Sequence, residues 1–346
     1  MKYKVLMTGA GAPGGPGIIK SLIGLDYIDL FIADANDQAS GKNLLPGKFF
    51  HIPNADDPSF TKQLLDLCAQ NKIDIVFPLV TKELLQFSKN IEAFRQHAIN
   101  VIVSEPDSLS IAVNKCRLYE HLEKNKIELP KFSIAKNYQE FLDAVNFIGY
   151  PKKPFCIKPG FSNGSRGIRI VDSSINKFDL LFNHKPNSLH IEFDELNSIL
   201  KQHEFPELLV SEVLPGDEIT IDTIIEDGRV ELIIPRKRLR MINGISVQGE
   251  FFYDEKIVGY TKRILNSLKL NGPIGIQLKQ NAEGEYRILE INPRIQGTSV
   301  AAMGLNINLP ALAVRNALNL PNEFPSTDNI KWGTKFSRFY NEVFYQ

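Results

Sequence analysis

The sequence predicts a parallel, doubly wound α/β region followed by an α+β region built on antiparallel sheets. Through the first hundred residues, short apolar strand patterns alternate with amphipathic helical patterns, as in parallel sheets with crossover helices. From about residue 130 onward, strand patterns instead occur in pairs joined by hairpin turns. For a chain of 346 residues this change of pattern indicates two or three domains.

The parallel region contains strands and helices in strict alternation. The predicted strands are YKVLMTG, DLFIAD, IDIVFPL and INVIVS, and the predicted helices are GIIKSLIGL, FTKQLLDLCAQNK and LLQFSKNIEAFRQH. Proline and capping residues in EPDSLS then begin a helix that continues through NKCRLYEHLEKNK.

The antiparallel region is marked by its turns. FCIKPG and GIRIVD form one predicted hairpin, ITIDTIIEDGRVELIIPRKRLR contains an Asp-Gly turn, and IGIQLKQNAEGEYRILEIN turns at NAEGE. FDELNSILKQ and DEKIVGYTKRILNSLKL are predicted helices between these strands. No internal repeat is visible in the sequence.

Composition excludes several classes of function. Forty basic residues balance forty acidic ones, so neither nucleic acid nor an anionic membrane is an expected partner. No apolar run approaches the roughly 18 residues that cross a bilayer, and no signal peptide is recognisable, which predicts a cytoplasmic protein. Three widely spaced cysteines indicate reduced thiols rather than a disulfide framework.

The first candidate site is GAGAPGGPG, which follows the first strand directly. Gly9, Gly11 and Gly14 have the spacing of a dinucleotide-binding turn, and Asp34 ends the second strand about 20 residues later, where a ribose-binding acid belongs. Two prolines in the same loop remove amides that would bind phosphate. The residues alone leave two interpretations, an NAD or FAD site and a tight strand-to-helix turn.

A second glycine-rich loop, KPGFSNGSRGI, lies between two predicted antiparallel strands. Lys158 ends the first strand at the entrance to this loop, whose backbone amides could close over an anionic group. Further on, LLVSEVLPGDE breaks at Pro-Gly before two acids, and by itself it is typical of a turn with surface carboxylates.

The stretch EINPR ends an apolar strand with polar side chains at alternate positions. Glu290, Asn292 and Arg294 could project to one side, and Gln277 on the partner strand could lie near them. Carboxylate and amide oxygens are ligands that Mg²⁺ prefers, with Arg294 bridging phosphate oxygens. The alternative is a buried ion pair between Glu290 and Arg294, which is costly without a function.

A basic cluster, RKRLR, places Arg236, Arg238 and Arg240 on one face of a strand. One interpretation is a solvated face. The other is a clamp that orients a substrate carboxylate or phosphate through Arg236 or Arg238.

Taken in order, these segments resemble the ATP-grasp superfamily, and among its members the single-module relatives of the carbamoyl-phosphate synthase large subunit. The resemblance rests on CIKPGFSNGSRG, LLVSEVLPGDE, IGIQLK and LEINPR together. It implies a Rossmann-like, parallel-sheet pre-ATP-grasp domain and then an ATP-grasp fold of two α+β subdomains with antiparallel sheets. The implied boundaries are 1–110 for the first domain, 111–207 for the small subdomain with a helical lead-in, 208–320 for the large subdomain and 321–346 for a C-terminal tail.

The resemblance also implies roles for individual residues. ATP would be bound by phosphate-holding lysines, a covering loop, an adenine-binding linker and a ribose-binding acid, which are Lys115, Lys158, Ser162, Gly164, Ser165, Gly167, Glu212, Val213, Leu214 and Glu218. Gln277, Glu290 and Asn292 would bind Mg²⁺, with Mn²⁺ as an alternative, and Arg294 with Lys158 would act on the transferred phosphate. The N-terminal glycine loop, including Gly11, would face the acceptor substrate instead of NAD. Ser246 stands where a histidine is common in the family.

The implied activity is that of an ADP-forming ligase that activates a carboxylate as an acylphosphate and transfers it to an amine. The expected partners are small-molecule carboxylates and amines, and homodimers are common among similar proteins. Two alternatives remain open: a non-catalytic or partial ATP-binding subunit of a split synthase, and an NAD(P)-dependent oxidoreductase.

Overall fold

The computed structural model describes residues 2–162, 164, 166–185, 188–242, 244–339 and 341–344. The chain folds into two compact units. Unit 1 comprises Met1–Ser110, Ile219–Gln277 and Ile291–Gln346, and unit 2 comprises Ile111–Glu218 and Leu278–Glu290.

Unit 1 begins with a five-stranded sheet in the order β3-β2-β1-β4-β5. Its strands are β1 (Tyr3–Thr8), β2 (Ile28–Asp34), β3 (Phe49–His51), β4 (Ile75–Pro78) and β5 (Asn100–Val101). All neighbouring pairs are parallel. The last four residues of the central strand β1 are buried, as expected for a strand covered on both faces. The parallel sheet predicted from strand–helix alternation is confirmed.

The helices of this region are α1 (Gly15–Ile23), α2 (Phe60–Asn71), α3 (Thr81–Lys89), α4 (Ile91–Gln96) and α5 (Pro106–Val113). The single helix predicted over LLQFSKNIEAFRQH is wrong, because it is divided at Asn90, which has φ −110° and ψ 18°. The Asn90 side chain donates to the carbonyl of Gln86 at 2.8 Å, a local bond that competes with helix continuation.

Unit 2 contains a four-stranded antiparallel sheet in the order β6-β9-β7-β8. Its elements are α6 (Lys115–Lys124), β6 (Phe132–Ala135), α7 (Tyr138–Ile148), β7 (Phe155–Pro159), β8 (Arg169–Val171), α8 (Lys177–Asn183), α9 (Phe193–Gln202) and β9 (Leu208–Glu212). The core between this sheet and its helices includes Phe141, Phe155 and Val210. The predicted hairpin of β7 and β8 is confirmed. The predicted helix through EPDSLS and NKCRLYEHLEKNK is instead two helices, α5 and α6.

A six-stranded sheet has the order β14-β13-β10-β11-β12-β15. Its strands are β10 (Glu218–Glu226), β11 (Arg229–Ile242), β12 (Ile245–Phe251), β13 (Gly272–Gln280), β14 (Tyr286–Asn292) and β15 (Lys335–Ser337), accompanied by the helices α10 (Glu255–Ser267) and α11 (Leu309–Ala317). Asp227 and Gly228 have φ of 49° and 74° and form the predicted hairpin turn between β10 and β11. The short strand β15 shows that the C-terminal segment, left without a role in the sequence, completes the edge of this sheet.

Apolar side chains of the parallel sheet and of β10, β11 and β12 form one core in unit 1, which includes Val5, Phe77, Ile234 and Phe251. Two kinds of sheet therefore share a hydrophobic interior within this unit. Throughout the described residues, the helices are too short or too polar to span a membrane.

Candidate active site

The start of α6, which carries Lys115, is fixed by backbone contacts in unit 2. Asn114 caps the helix, since its Oδ1 accepts the N–H of Cys116 at 2.9 Å. The N–H of Lys115 donates to the carbonyl of Gly160 at 2.7 Å. A Cβ placed on Gly160 would lie 3.0 Å from Asn114 Oδ1, so the close approach favours glycine. These contacts bind the start of α6 to the end of β7, and so bring two predicted phosphate-binding segments together.

The Lys115 ammonium is buried beside a carboxylate. Its Nζ lies 3.3 Å from Glu290 Oε2, 3.4 Å from the Ser162 carbonyl and 3.5 Å from Ser162 Oγ. These distances exceed the 2.7–2.9 Å typical of a tight charge-assisted hydrogen bond. The alternative interpretation paired Glu290 with Arg294, whereas the ion pair seen here joins Glu290 to Lys115. The geometry leaves the ammonium able to approach a further anion.

Lys158, on β7, is 8% exposed and has no ion-pair partner among the residues that the structure describes. Burial raises the pKa of the neighbouring Cys156 thiol, and the positive charges of Lys158 and Lys279 oppose that rise. Lys279 therefore contributes to the same positive region. A buried ammonium without a counter-charge is unfavourable unless a ligand supplies one.

The loop after β7 has a backbone that requires glycine. Gly164 and Gly167 have φ of +61° and +77°, and a Cβ on Gly167 would lie 2.5 Å from Pro159 Cγ. Ser162 already contacts Lys115. Ser165, also predicted to cover the phosphates, lies outside the described residues. The glycines at 164 and 167 are therefore explained by the backbone, and the phosphate-covering role of this loop stays a prediction.

The predicted adenine linker follows β9. The N–H of Glu212 donates to the Lys131 carbonyl at 2.9 Å, and its Oε1 accepts the N–H of Lys131 at 2.8 Å. The Glu212 amide is therefore committed, which leaves its carbonyl and the amides of Val213 and Leu214 for a base. In the described part of the chain, the Leu214 amide has no backbone acceptor. Glu218, the predicted ribose-binding acid, begins β10 and is partly buried.

Two of the predicted metal ligands, Glu290 and Asn292, are two residues apart on β14 and so share a face of the strand. Gln277 lies on the neighbouring strand β13. Each of the three carries an oxygen of the kind that Mg²⁺ prefers, a carboxylate in Glu290 and an amide in Gln277 and Asn292. Among the described residues, no group of three or more His, Cys, Asp or Glu side chains is arranged for a metal. The amide-rich set at β13 and β14 stays the predicted metal site.

Arg294 lies beyond the end of β14. Its N–H donates to the carbonyl of Asn292 at 2.7 Å across Pro293, so the expected strand alternation does not extend to it. Its Nε donates to Thr81 Oγ1 at 3.2 Å, and its Nη1 donates to the Ile295 carbonyl at 3.0 Å. The guanidinium is thus oriented by two acceptors within unit 1.

Arg236, predicted to orient the acceptor, lies in a buried ion pair. It is 2% exposed, and its Nε donates to Asp222 Oδ2 at 2.9 Å. Asp222 is also buried and accepts hydrogen bonds through Oδ1 from Gln296 at 3.0 Å and Ser299 at 2.5 Å. Because Arg236 is buried in an ion pair inside unit 1, the solvated face is wrong for this residue, whereas its acceptor role stays a prediction.

Arg238 keeps the predicted acceptor role as a hypothesis. Its Nε donates to Ser246 Oγ at 3.1 Å, and its Nη2 donates to the Gly244 carbonyl. Ser246 also accepts from Arg236 at 3.4 Å, so the residue that replaces the family histidine links the two arginines. A β-bulge between Arg238 and Arg240 interrupts the single face that the sequence predicted for all three arginines.

Asp34, the candidate ribose-binding acid in the sequence, binds the N-terminal glycine loop. Asp34 accepts the N–H of Gly11 at 2.7 Å and that of Asn36 at 2.8 Å. A Cβ on Gly14 would lie 2.1 Å from Gly297 Cα, so this glycine permits a close approach of two backbones. The structure therefore explains both the glycines and Asp34 without a dinucleotide. Gly11 itself is exposed and stays the predicted acceptor-facing residue.

Three residues in these contacts were missed by the sequence analysis. Lys279 could have been found, because it follows Gln277 by two positions on a strand and so shares its face. Asp222 interrupts the apolar pattern ITIDTII, a sign of a buried charge in need of a partner. Thr81 gave no signal, since its partner Arg294 is 213 residues away.

Comparison with known proteins finds family models and a curated relative that match large parts of the chain. Residues 204–336 match the family described as ATP-grasp in the biosynthetic pathway with Ter operon, and residues 19–102 match the PylC-like, N-terminal domain. The carbamoyl phosphate synthase large chain of Pseudothermotoga lettingae is 25% identical over 244 residues, which cover 70% of this chain and 21% of that protein. The chain thus spans about a fifth of the length of this curated relative.

Two solved structures share the fold. N5-carboxyaminoimidazole synthetase from Staphylococcus aureus, complexed with ADP, has a TM-score of 0.69 and 13% identity over 93% of this chain and 79% of that chain. The biotin carboxylase domain dimer of Hydrogenobacter thermophilus 2-oxoglutarate carboxylase, in complex with MgADP, ADP and bicarbonate, has a TM-score of 0.70 and 16% identity over 97% of this chain and 73% of that chain.

The fold class predicted from the sequence, a parallel-sheet domain followed by antiparallel sheets, is therefore confirmed by both structural neighbours. Residues 204–336 thus resemble an ATP-grasp family and residues 19–102 a PylC-like N-terminal domain, and the resemblance to the ATP-grasp superfamily is confirmed.

Proposed function

We propose that the protein is an ATP-dependent ligase that activates a carboxylate as an acylphosphate and transfers the acyl group to an amine. One observation carries the proposal. Unit 2 contains two buried lysines, and among the described residues only one of them has a carboxylate partner. Lys115 lies 3.3 Å from Glu290, and Lys158 has no counter-ion among the described residues. An anionic ligand would complete this arrangement, and a triphosphate beside a glycine loop fits it.

The proposed chemistry is limited by repulsion between anions. A carboxylate oxygen attacks the γ-phosphorus of ATP, the bond to the bridging oxygen breaks, and ADP leaves. The amine then attacks the acyl carbon, inorganic phosphate leaves, and the amine loses a proton. Lys115, Lys158 and Arg294 offset the negative charge of the oxygens that meet in the first step. The glycine loop would exclude water, which would otherwise hydrolyse the acylphosphate.

A divalent cation belongs to the proposal. Gln277, Glu290 and Asn292 would hold Mg²⁺, with Mn²⁺ as an alternative, and the ion would neutralise phosphate oxygens when bound. The Hydrogenobacter thermophilus domain was crystallised as a dimer with MgADP and bicarbonate, and the Staphylococcus aureus synthetase with ADP. These relatives support ATP, Mg²⁺ and a homodimer for this chain as parts of the proposal.

The test is a screen of small carboxylates paired with amines for ADP formation by the purified full-length chain in Mg²⁺. ADP formation that requires both substrates would support the ligase. A Lys158→Met variant should be inactive, whereas Lys152→Met, at an exposed lysine, should match the wild type. Stabilisation of the folded protein by NADH and not by ATP would contradict the proposal.

A second candidate is an ATP-binding subunit of a split synthase. The observation in its favour is that the chain spans 21% of the matched synthase large chain. In that case ATP would bind and raise the melting temperature, but no carboxylate–amine pair would give ADP without a partner protein.

A further inference from the structure

A side chain in the first turn of α3 forms a hydrogen bond outside its own helix. Its N-cap position is Val80, which has no side-chain oxygen to cap the helix. The hydroxyl of Thr81, the next residue, accepts a hydrogen bond from Arg294 Nε at 3.2 Å. Threonine at a helix start commonly serves the backbone amides of the same helix. Here it serves the guanidinium of a residue 213 positions later in the chain.

The same turn is anchored firmly to the end of β1. Glu83 is 5% exposed, and its Oε2 accepts the hydroxyl of Thr8 at 2.5 Å. Val80 lies against the glycine loop, since a Cβ on Gly9 would be 2.8 Å from Val80 Cγ2. Thr81 therefore lies between two residues, Val80 and Glu83, that contact the end of the parallel strand β1 and the loop after it.

We infer that Thr81 is a positioning residue, whose hydroxyl holds the Arg294 guanidinium in the plane required to contact the γ-phosphate of ATP. The inference rests on the proposed function. A guanidinium is planar, and hydrogen bonds from Nε to Thr81 and from Nη1 to the Ile295 carbonyl fix its orientation. Preorganisation of this kind removes an ordering step from phosphoryl transfer.

This assignment gives the N-terminal parallel-sheet region a part in the chemistry. The predicted nucleotide-binding residues begin at Lys115, later in the chain, yet one acceptor for the reactive arginine comes from α3. Loss of the hydroxyl would remove one acceptor of the Arg294 guanidinium without removing its charge. The expected defect is therefore a loss of orientation toward the terminal phosphate, with contacts to the rest of the nucleotide retained.

The test compares Thr81→Val, which keeps the size and branching of the side chain, with Thr81→Ser, which keeps the hydroxyl. Each full-length variant is titrated calorimetrically with ADP and with the non-hydrolysable ATP analogue AMP-PNP, both in Mg²⁺. We expect Thr81→Val to weaken AMP-PNP binding about tenfold, since one lost hydrogen bond to a charged group is of that order. ADP binding should be unchanged, and Thr81→Ser should bind both nucleotides as the wild type does.

The ratio of the two affinities separates positioning from a general structural role. A merely structural defect would lower the melting temperature and weaken both nucleotides equally, and that result would overturn the inference. Unchanged AMP-PNP binding in Thr81→Val would overturn it as well. If the wild-type protein binds neither nucleotide, the proposed function itself is overturned and this inference with it, so the two failures are distinguishable.

Discussion

Two buried basic residues, one in each unit, differ in a way that separates structure from function. Arg236 in unit 1 is 2% exposed and bonds to Asp222, which is held in turn by further polar side chains. Lys158 in unit 2 is 8% exposed and has no counter-ion in the described part of the chain. Burial alone therefore does not indicate a ligand site. A buried charge that has no counter-ion among the described residues is the better indicator of a ligand site.

The largest expected effect comes from breaking the compensated pair. Asp222→Ala should lower the free energy of unfolding by about 3–5 kcal/mol, because it leaves the Arg236 guanidinium buried without a counter-charge. Urea denaturation measures the loss. Asp66→Ala is the matched control: it removes the carboxylate of an exposed pair with Lys62, and should cost about 0.5 kcal/mol or less. A loss below about 1 kcal/mol in Asp222→Ala would contradict the comparison, because Arg236 would then not depend on Asp222 as its counter-ion.

The carboxylate of Glu83, also buried in unit 1, extends the comparison between buried charges with and without a counter-ion. Burial raises the pKa of Glu83 from 4.5 to about 7, the hydrogen bond from Thr8 opposes the rise, and the negative charge of Asp34 adds to it. Lys82 on the same helix pairs with Asp56 instead. Unlike Asp222, Glu83 therefore has only a hydroxyl as its side-chain partner among the residues that the structure describes.

The sign of the pH dependence follows from that pKa. Between about pH 4.5 and pH 7 the folded protein retains a proton on Glu83 that the unfolded chain has lost, so stability falls as pH rises through this range. Glu83→Gln removes the dependence. Relative to the wild type, the variant should gain about 2–3 kcal/mol more at pH 8 than at pH 5, as measured by urea denaturation at both values. A pH-independent difference would show that Glu83 ionises normally.

The third prediction concerns Lys158, the buried charge without a counter-ion among the described residues. Lys158→Met should leave the stability of the ligand-free protein unchanged or higher, because it removes a buried charge without exposing a partner. It should weaken ATP binding by about 1.5–3 kcal/mol, the range for a hydrogen bond to a charged group. Thermal unfolding with and without Mg·ATP measures both quantities, and Lys152→Met is the exposed control. A large loss of ligand-free stability would make Lys158 structural, like Arg236.

Much of the fold followed from local patterns. Strand–helix alternation predicted the parallel sheet, and the Asp-Gly turn predicted the hairpin of β10 and β11. Both signals act over short distances, which is why they are visible in a single sequence. The signal for the predicted phosphate-covering loop was equally local, since Lys158, Gly164 and Gly167 lie within ten residues of one another.

The burial of Arg236 in an ion pair was missed for a specific reason. The turn pairs Glu226 with Arg229, and a regular hairpin continued from there would place Arg236 opposite Ile219, with Asp222 on the other face. A register shift between Ile224 and Ile225 pairs Arg236 with Thr220 instead, which brings Asp222 to the same face. One bulged residue thus brings Arg236, the predicted clamp residue, into a buried ion pair with Asp222, and the sequence carries no clear sign of it.

Contacts between distant segments were beyond the sequence for another reason. Thr81 meets Arg294 and Asp34 holds Gly11 only once separate elements have packed together. No periodicity or turn motif specifies such pairs. They depend on the tertiary fold, which local patterns constrain only in class.

The most direct test of the account is the Mg²⁺ dependence of ATP affinity in the wild type and in Glu290→Gln, measured by calorimetry over a range of Mg²⁺ concentrations. We predict that Mg²⁺ strengthens ATP binding to the wild type and that the variant loses most of this gain, because the Glu290 carboxylate is the charged member of the predicted ligand set beside Lys115. An identical dependence on Mg²⁺ in the two proteins would contradict the assignment of this strand end to a nucleotide-bound metal.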